Sequence, residues 1–194
     1  MEKRRFILAS ASPRRKELFE NAGFDFEIIP SEAEETVDEN IGAKETVRIL
    51  SMQKAQYVSA HNEGAVVLGC DTVVAVGDEI LGKPQNKRQA FEMLKSLSGK
   101  IHAVYSGVCI TDGKRTESFA SKTEVEFYEL SDETIESYIE SGEPADKAGA
   151  YGIQGLGNAL VKGIKGDYFT VVGLPLAECA RVLSSFGIYG KIKL

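Results

Sequence analysis

The sequence predicts an α/β fold built on a mixed sheet, and three observations carry that prediction. Short apolar strands and amphipathic helices alternate early in the chain. Hairpin signals, Gly77-Asp78 and Asp112-Gly113, fill the middle. Ala65 to Gly69 is a continuous apolar run, as expected of a strand covered on both faces. The 194 residues are 43% hydrophobic, enough for one substantial core.

Element by element, Phe6 to Ala9 reads as a short buried strand running into Ser10-Ala11-Ser12-Pro13-Arg14-Arg15. Ser12 suits an N-cap and Pro13 the first helical turn. Leu18, Phe19 and Ala22 give helical spacing, and Gly23 stops the helix. Phe26 to Ile29 is a second strand. Residues 43 to 60 place Ala43, Val47, Leu50, Tyr57 and Val58 on one helical face. Val73 to Val76, Gly77-Asp78 and Glu79 to Leu81 form a hairpin. Asn86 caps a helix bearing Ala90, Phe91, Leu94 and Leu97, closed by Gly99. Ile101 to Thr111 and Arg115 to Tyr128 are long strands. Ser131 caps a helix through Ile135, Tyr138 and Ile139 that ends at Gly142. Glu143 to Gly157 is glycine-rich without periodicity, the mark of a functional or disordered loop. Ala159 to Val161 and Tyr168 to Val172 are strand candidates, and a last helix runs from Pro175 to Phe186. No repeat or low-complexity linker divides the chain.

Composition excludes several functions. The net charge of -6 does not attract nucleic acid or an anionic membrane, so a polyanionic ligand needs a local basic cluster. Cys70, Cys109 and Cys179 are odd in number and lack metal-ligand spacing, which fits a reducing compartment. His61 and His102 are too few and too scattered for a zinc site. Behind the basic start, Met1 to Arg5, the apolar run is too short for a signal sequence, and no stretch is long enough to span a bilayer. A cytoplasmic location is expected.

The strongest chemical signal is the strand-turn-helix at Ser10 to Arg15. A helix N-terminus offers backbone N–H groups and partial positive charge to an anion. Ser10 and Ser12 add hydroxyls. Arg14 and Arg15 sit where the helix dipole disfavours cations, which suggests that an anion offsets them. A plain cap with two solvated arginines has the same sequence. Asp71, past the apolar run in Gly69-Cys70-Asp71-Thr72, suits a metal ligand or a base, and equally a turn former. Lys54 falls on an apolar stripe and either meets a partner or snorkels to water. Lys83 precedes Pro84, which holds it extended. Glu32, Glu34 and Glu35 form either a solvated loop or a hard-oxygen set for Mg2+ or Mn2+. P-loop and Rossmann signatures are absent, and no Ser-His-Asp or Cys-His set presents itself.

Together these segments resemble the Maf family of nucleotide pyrophosphatases. The matching stretches are LASASPRRKEL from Leu8, EAEET from Glu32, LGCDTVV from Leu68, LGKP from Leu81 and LSGKIHAVYSGV from Leu97. GEPADKAGAYGIQGLG from Gly142 and VVGLPL from Val171 follow, so the resemblance covers essentially the whole chain. It implies an elongated, twisted mixed sheet flanked by helices, of Maf/ITPase-like type. It also implies a single domain over residues 1–194 with two lobes around a central cleft.

The resemblance assigns roles residue by residue. Asp71 matches the general base. Ser10, Arg14, Arg15, Lys54 and Lys83 match positions around the triphosphate. Glu35 matches an acidic position read here as metal-linked, with Asp71 as its companion ligand. Arg14, Thr72 and Gln154 match positions tied to base choice. Ala150 to Gly155 (AYGIQG) resembles the branch acting on dTTP and UTP. Cys70 departs from the Ala of many relatives, a small swap. The implied activity is hydrolysis of a nucleoside triphosphate to monophosphate and pyrophosphate with a divalent metal, Mg2+ or Mn2+, in a homodimer. The rival reading is a non-catalytic nucleotide-binding regulator of cell division or septation, which would bind nucleotide without turnover.

Overall fold

The computed structural model describes residues 4–38 and 41–193; Met1 to Lys3 of the basic start lie outside them. In chain order the elements are β1 (Phe6–Leu8), α1 (Pro13–Asn21), β2 (Glu27–Ile28), α2 (Ala43–Ala60), β3 (Val66–Val76), β4 (Glu79–Leu81) and α3 (Lys87–Leu97). Then come β5 (Ile101–Thr111), β6 (Thr116–Phe127), α4 (Asp132–Glu140), β7 (Val161–Lys165), α5 (Tyr168–Val172) and α6 (Leu176–Ser185). The strand order is β2-β1-β3-β5-β6-β7, with β4 on β3. β1 runs parallel to β2 and β3, while β4 is antiparallel to β3 and β7 to β6. The predicted mixed α/β sheet is therefore present. No helix among the described residues is long and apolar enough to cross a membrane.

The chain forms two compact units. The first comprises Met1–Asp71, Ser106–Ser121 and Gly173–Leu194; the second comprises Thr72–Tyr105 and Lys122–Val172.

In the first unit, α1 ends as its sequence predicts. Gly23 takes φ +71, and the Phe24 N–H reaches back to the Phe19 carbonyl at 3.0 Å. The rings of Phe6, Phe19 and Phe24 then pack edge to face. Helix α2 has the predicted bounds but a different buried face. Thr46, Ser51 and Ala55 are buried beside Val47, Leu50 and Val58, and Tyr57 is exposed. Two strand glycines explain this. A Cβ on Gly107 would strike the Val47 carbonyl, and one on Gly69 would strike the Ser51 carbonyl. The helix backbone thus lies directly on β3 and β5, and only small side chains fit the contact. Buried Ser51 Oγ is satisfied within its own helix, donating to the Arg48 carbonyl at 2.9 Å.

In the second unit, the predicted caps form. Asn86 accepts from the Gln89 N–H at 2.9 Å, and Ser131 from the Thr134 N–H at 3.2 Å. Gly77-Asp78 closes the β3–β4 hairpin, with Val76 opposite Glu79. The core gathers Leu94, Leu97, Phe127, Ile135 and Leu160. The glycine-rich stretch is ordered, folding into three short 3-10 turns, Glu143–Asp146, Ala148–Ala150 and Gly155–Leu160.

Two strand candidates are corrected. Ala159 and Leu160 complete the last 3-10 turn, and the strand begins at Val161. Tyr168 to Val172 is helical, although its aromatic and β-branched residues favour a strand. Asp167 overrides that preference: its carboxylate accepts from the Thr170 N–H at 2.7 Å and the Thr170 hydroxyl at 2.8 Å. Thr123 pins the same Asp167 backbone through its N–H and its carbonyl.

His102 is buried, 3% exposed, against Phe127, with Nε2 2.7 Å from the Tyr151 hydroxyl. Among the described residues Nδ1 has no hydrogen-bond partner. Burial disfavours the imidazolium and lowers the pKa to about 4. Above pH 6.5 both folded and unfolded forms are neutral here. Below it the unfolded chain takes up a proton that the folded one refuses, until the pH passes about 4. Stability should therefore fall through that window by as much as about 3 kcal/mol. Melting curves of wild type against His102→Gln across pH 4 to 7 test this; an unchanged slope in the variant would refute it.

Candidate active site

Ser10 lies just beyond β1 and is buried. Its Oγ accepts from Arg15 Nη1 at 3.0 Å and from the Ser12 N–H at 3.3 Å. A hydroxyl has two acceptor lone pairs and one hydrogen, so a doubly accepting Ser10 presents its O–H as a donor. Ser12 holds the N-cap position with extended backbone but makes no side-chain cap bond. The turn is shaped by Ser10 instead.

Arg15 ties this turn to the strand beside it. Nη1 also donates to the Cys70 carbonyl at 2.9 Å, and Nε to the Gly173 carbonyl at 2.9 Å. Cys70 Sγ donates to that same Gly173 carbonyl at 3.2 Å. The thiol is fully buried, and burial raises its pKa, so it is packing rather than a nucleophile. Arg14 is half-buried in the first turn of α1.

Asp71 follows Cys70 directly. It was expected past the end of a strand; it stands within one. β3 is continuous from Val66 to Val76, so no Asx turn forms. Lys54 on α2 donates to Asp71 Oδ1 at 2.5 Å and pairs with Glu35 Oε1 at 3.1 Å. The Lys54 and Asp71 side chains are each 15% exposed, against 49% for Glu35. Lys54 therefore does not snorkel; its ammonium is shared by two carboxylates. The lysine reaches Asp71 because Gly69 lets α2 lie on β3. Glu32 and Glu34 are exposed.

Gln53, next to Lys54, holds the loop that carries Glu35. Its amide Nε2 donates to the Thr36 carbonyl at 2.7 Å, and its Oε1 accepts from the Thr36 N–H at 3.3 Å. Sequence reasoning overlooked Gln53, whose only signal is its place beside a lysine on an apolar stripe. Gly69 was also overlooked, although a glycine inside an apolar strand marks a close backbone approach.

Six of the predicted residues, Ser10, Arg14, Arg15, Glu35, Lys54 and Asp71, belong to the first unit. Bonds link Ser10 to Arg15, Arg15 to the Cys70 backbone, and Lys54 to both Glu35 and Asp71. Thr72, Lys83 and Gln154 belong to the second unit. Thr72 is half-buried on β3; Lys83 is exposed after β4; Gln154 is half-buried, with φ -83 and ψ 160, before the last 3-10 turn. Among the described residues no three His, Cys, Asp or Glu side chains gather as a metal cage. Glu35 and Asp71 are two hard-oxygen donors held by one ammonium.

The family model described as Maf-like protein matches residues 5–186. The dTTP/UTP pyrophosphatase of Bacillus anthracis (strain CDC 684 / NRRL 3495) is 52% identical over 185 residues, 95% of this chain and 97% of that protein. Proteins of the same name from Bacillus cereus and Bacillus thuringiensis subsp. konkukian are 52% and 51% identical over the same span. Among solved structures, the Staphylococcus aureus Ham1 protein gives a TM-score of 0.44 at 14% identity, over 64% of this chain and 72% of that one.

Proposed function

The chain belongs to the Maf family, and from that membership we propose that it hydrolyses dTTP and UTP to the nucleoside monophosphate and pyrophosphate. The observation that carries this reading is the Lys54 ammonium shared between Asp71 and Glu35, tied through Cys70 and Arg15 to the hydroxyl of Ser10. Relatives about half identical over nearly their whole length carry that substrate pair in their names.

The Ser10 O–H, the positive end of α1 and the charges of Arg14 and Arg15 receive triphosphate oxygens. Asp71 accepts a proton from the water that attacks the phosphorus next to the sugar. Its second oxygen, Oδ2, provides capacity beyond the Lys54 bond. Lys54 holds Asp71 in place and shares its charge with the incoming anion. Assignment of Thr72, Lys83 and Gln154 to the substrate rests on the family resemblance alone.

Two carboxylates suit Mg2+ or Mn2+ arriving with the nucleotide, because such ions are commonly held by one or two carboxylates plus substrate phosphates. When bound, the cation supplies charge neutralisation at the phosphate oxygens. Glu35 and Asp71 would hold it. A chelator should therefore abolish turnover and added Mg2+ restore it, while calorimetry without nucleotide should find no tight Mg2+ binding. A tight site in the nucleotide-free protein would contradict this donor set.

The direct test is product analysis with UTP and dTTP. Monophosphate and pyrophosphate in equal amounts are expected. Release of orthophosphate with a diphosphate would make the protein a phosphatase, and nucleotide binding without turnover would favour the regulatory reading. We further propose a homodimer, to be checked by light scattering. A cytoplasmic location is proposed because Cys70, Cys109 and Cys179 are all free thiols.

A further inference from the structure

We propose that Glu143 is the positioning residue for Gln154, clamping the glycine-rich segment so that Gln154 meets the base in one backbone conformation. The inference rests on the reading that Gln154 contributes to base choice.

The geometry is local and closed. Glu143 Oε2 accepts from the Leu156 N–H at 2.9 Å, and Oε1 accepts from the Gly157 N–H at 3.1 Å and the Tyr138 hydroxyl at 2.9 Å. The Tyr138 oxygen accepts in turn from the Gly152 N–H at 3.2 Å. Gln154 is therefore fastened on both sides, two residues before by Tyr138 and two residues after by Glu143. The donors act on the anion as well. Although partial burial works the other way, the Leu156 and Gly157 N–H groups, Tyr138 and Lys147 hold the Glu143 carboxyl below its usual range.

Three glycines of the segment, Gly152, Gly155 and Gly157, lie against the same clamp and the lysine that braces it. A Cβ on Gly155, which has φ +67, would lie 2.7 Å from Glu143 Oε2. One on Gly157 would strike the Gly152 carbonyl and lie 2.6 Å from the Tyr138 oxygen. One on Gly152 would lie 2.7 Å from Lys147 Cε. Lys147 Nζ meanwhile bonds the Glu143 carbonyl and Asp146, bracing the start of the loop. Side chains are absent where the carboxylate and phenol must approach the backbone. A loop that merely connected α4 to β7 would need none of this.

Glu143→Gln tests the role with the same shape but one acceptor oxygen fewer. We expect KM for UTP and dTTP to rise roughly tenfold with kcat within about twofold, and selectivity over CTP to shrink. Tyr138→Phe should do the same, and the double variant should be no worse than either single one. Gln154→Ala should lose selectivity comparably. Amide exchange at Leu156 and Gly157 should accelerate in Glu143→Gln while the melting temperature shows the protein folded. If those amides exchange as fast in wild type, or if they accelerate while KM and selectivity stay unchanged, the clamp has no positioning role. If wild type turns over neither UTP nor dTTP, the substrate assignment falls instead, and the exchange comparison still judges the clamp separately.

Discussion

Asp71→Asn is expected to lower kcat by about a thousandfold, the middle of the range for loss of a positioned general base. Asparagine keeps the shape of the side chain and its place within β3 but cannot take a proton. The loss should fall mainly on kcat, with a smaller rise in KM, because Ser10, Arg14 and Arg15 stay in place and Glu35 remains to hold the cation. A second consequence separates chemistry from folding. Lys54 would keep Glu35, a half-exposed carboxylate, as its anionic partner, and a neutral amide oxygen would replace the carboxylate that is 15% exposed. Loss of the charged bond to a largely buried ammonium should cost about 1–3 kcal/mol of stability. Lys54→Met in the Asp71→Asn background should recover part of that stability and none of the rate. Single-turnover kinetics and urea unfolding on wild type and the two variants decide the matter. Full activity in Asp71→Asn would remove the general base from the mechanism.

Gly69→Ala is expected to damage the site without touching any charged group. The added Cβ would run into the Ser51 carbonyl oxygen and lie 2.6 Å from the Ala55 nitrogen. Both atoms are helix backbone, so no side chain can turn aside. Overpacking of a core usually costs about 1–3 kcal/mol, and a clash with rigid backbone belongs at or above the top of that range. Lys54 sits between Ser51 and Ala55 in sequence, so any shift of α2 away from β3 also moves the ammonium away from Asp71. Unfolding by urea and activity should fall together. Gly163→Ala is the control: nothing lies within 4 Å of its Cβ position, and its effect should stay within about 0.5 kcal/mol. Equal effects from the two alanines would show that the α2–β3 contact can yield.

The errors of sequence reasoning have physical causes that particular residues display. Tyr168 to Val172 reads as a strand from its side chains, but the Asp167 carboxylate and distant Thr123 make it a helix. Tyr57 reads as part of the buried face of α2, yet Gly107 seats the helix at Val47 and Gly69 seats it at Ser51 and Ala55, leaving Tyr57 exposed. Asp71 reads as lying past a strand because a polar pair, Asp71-Thr72, interrupts the apolar run, although the sheet continues through it.

The sequence by itself determined what depends on neighbours a few residues away. That set includes the Asn86 and Ser131 caps, the Gly23 stop, the Gly77-Asp78 hairpin, the α/β class and the membership read from ordered motifs. Such features form from backbone geometry and short-range hydrogen bonds, which neighbouring residues suffice to specify. Only the tertiary structure decided which partners the charged side chains meet. Lys54 and Asp71 are 17 positions apart, and Arg15 and Gly173 are 158 apart. No local preference encodes those encounters. The first follows from helix α2 settling on β3 at Gly69, and partial burial turns Lys54 from a residue that would snorkel into one that must find a carboxylate.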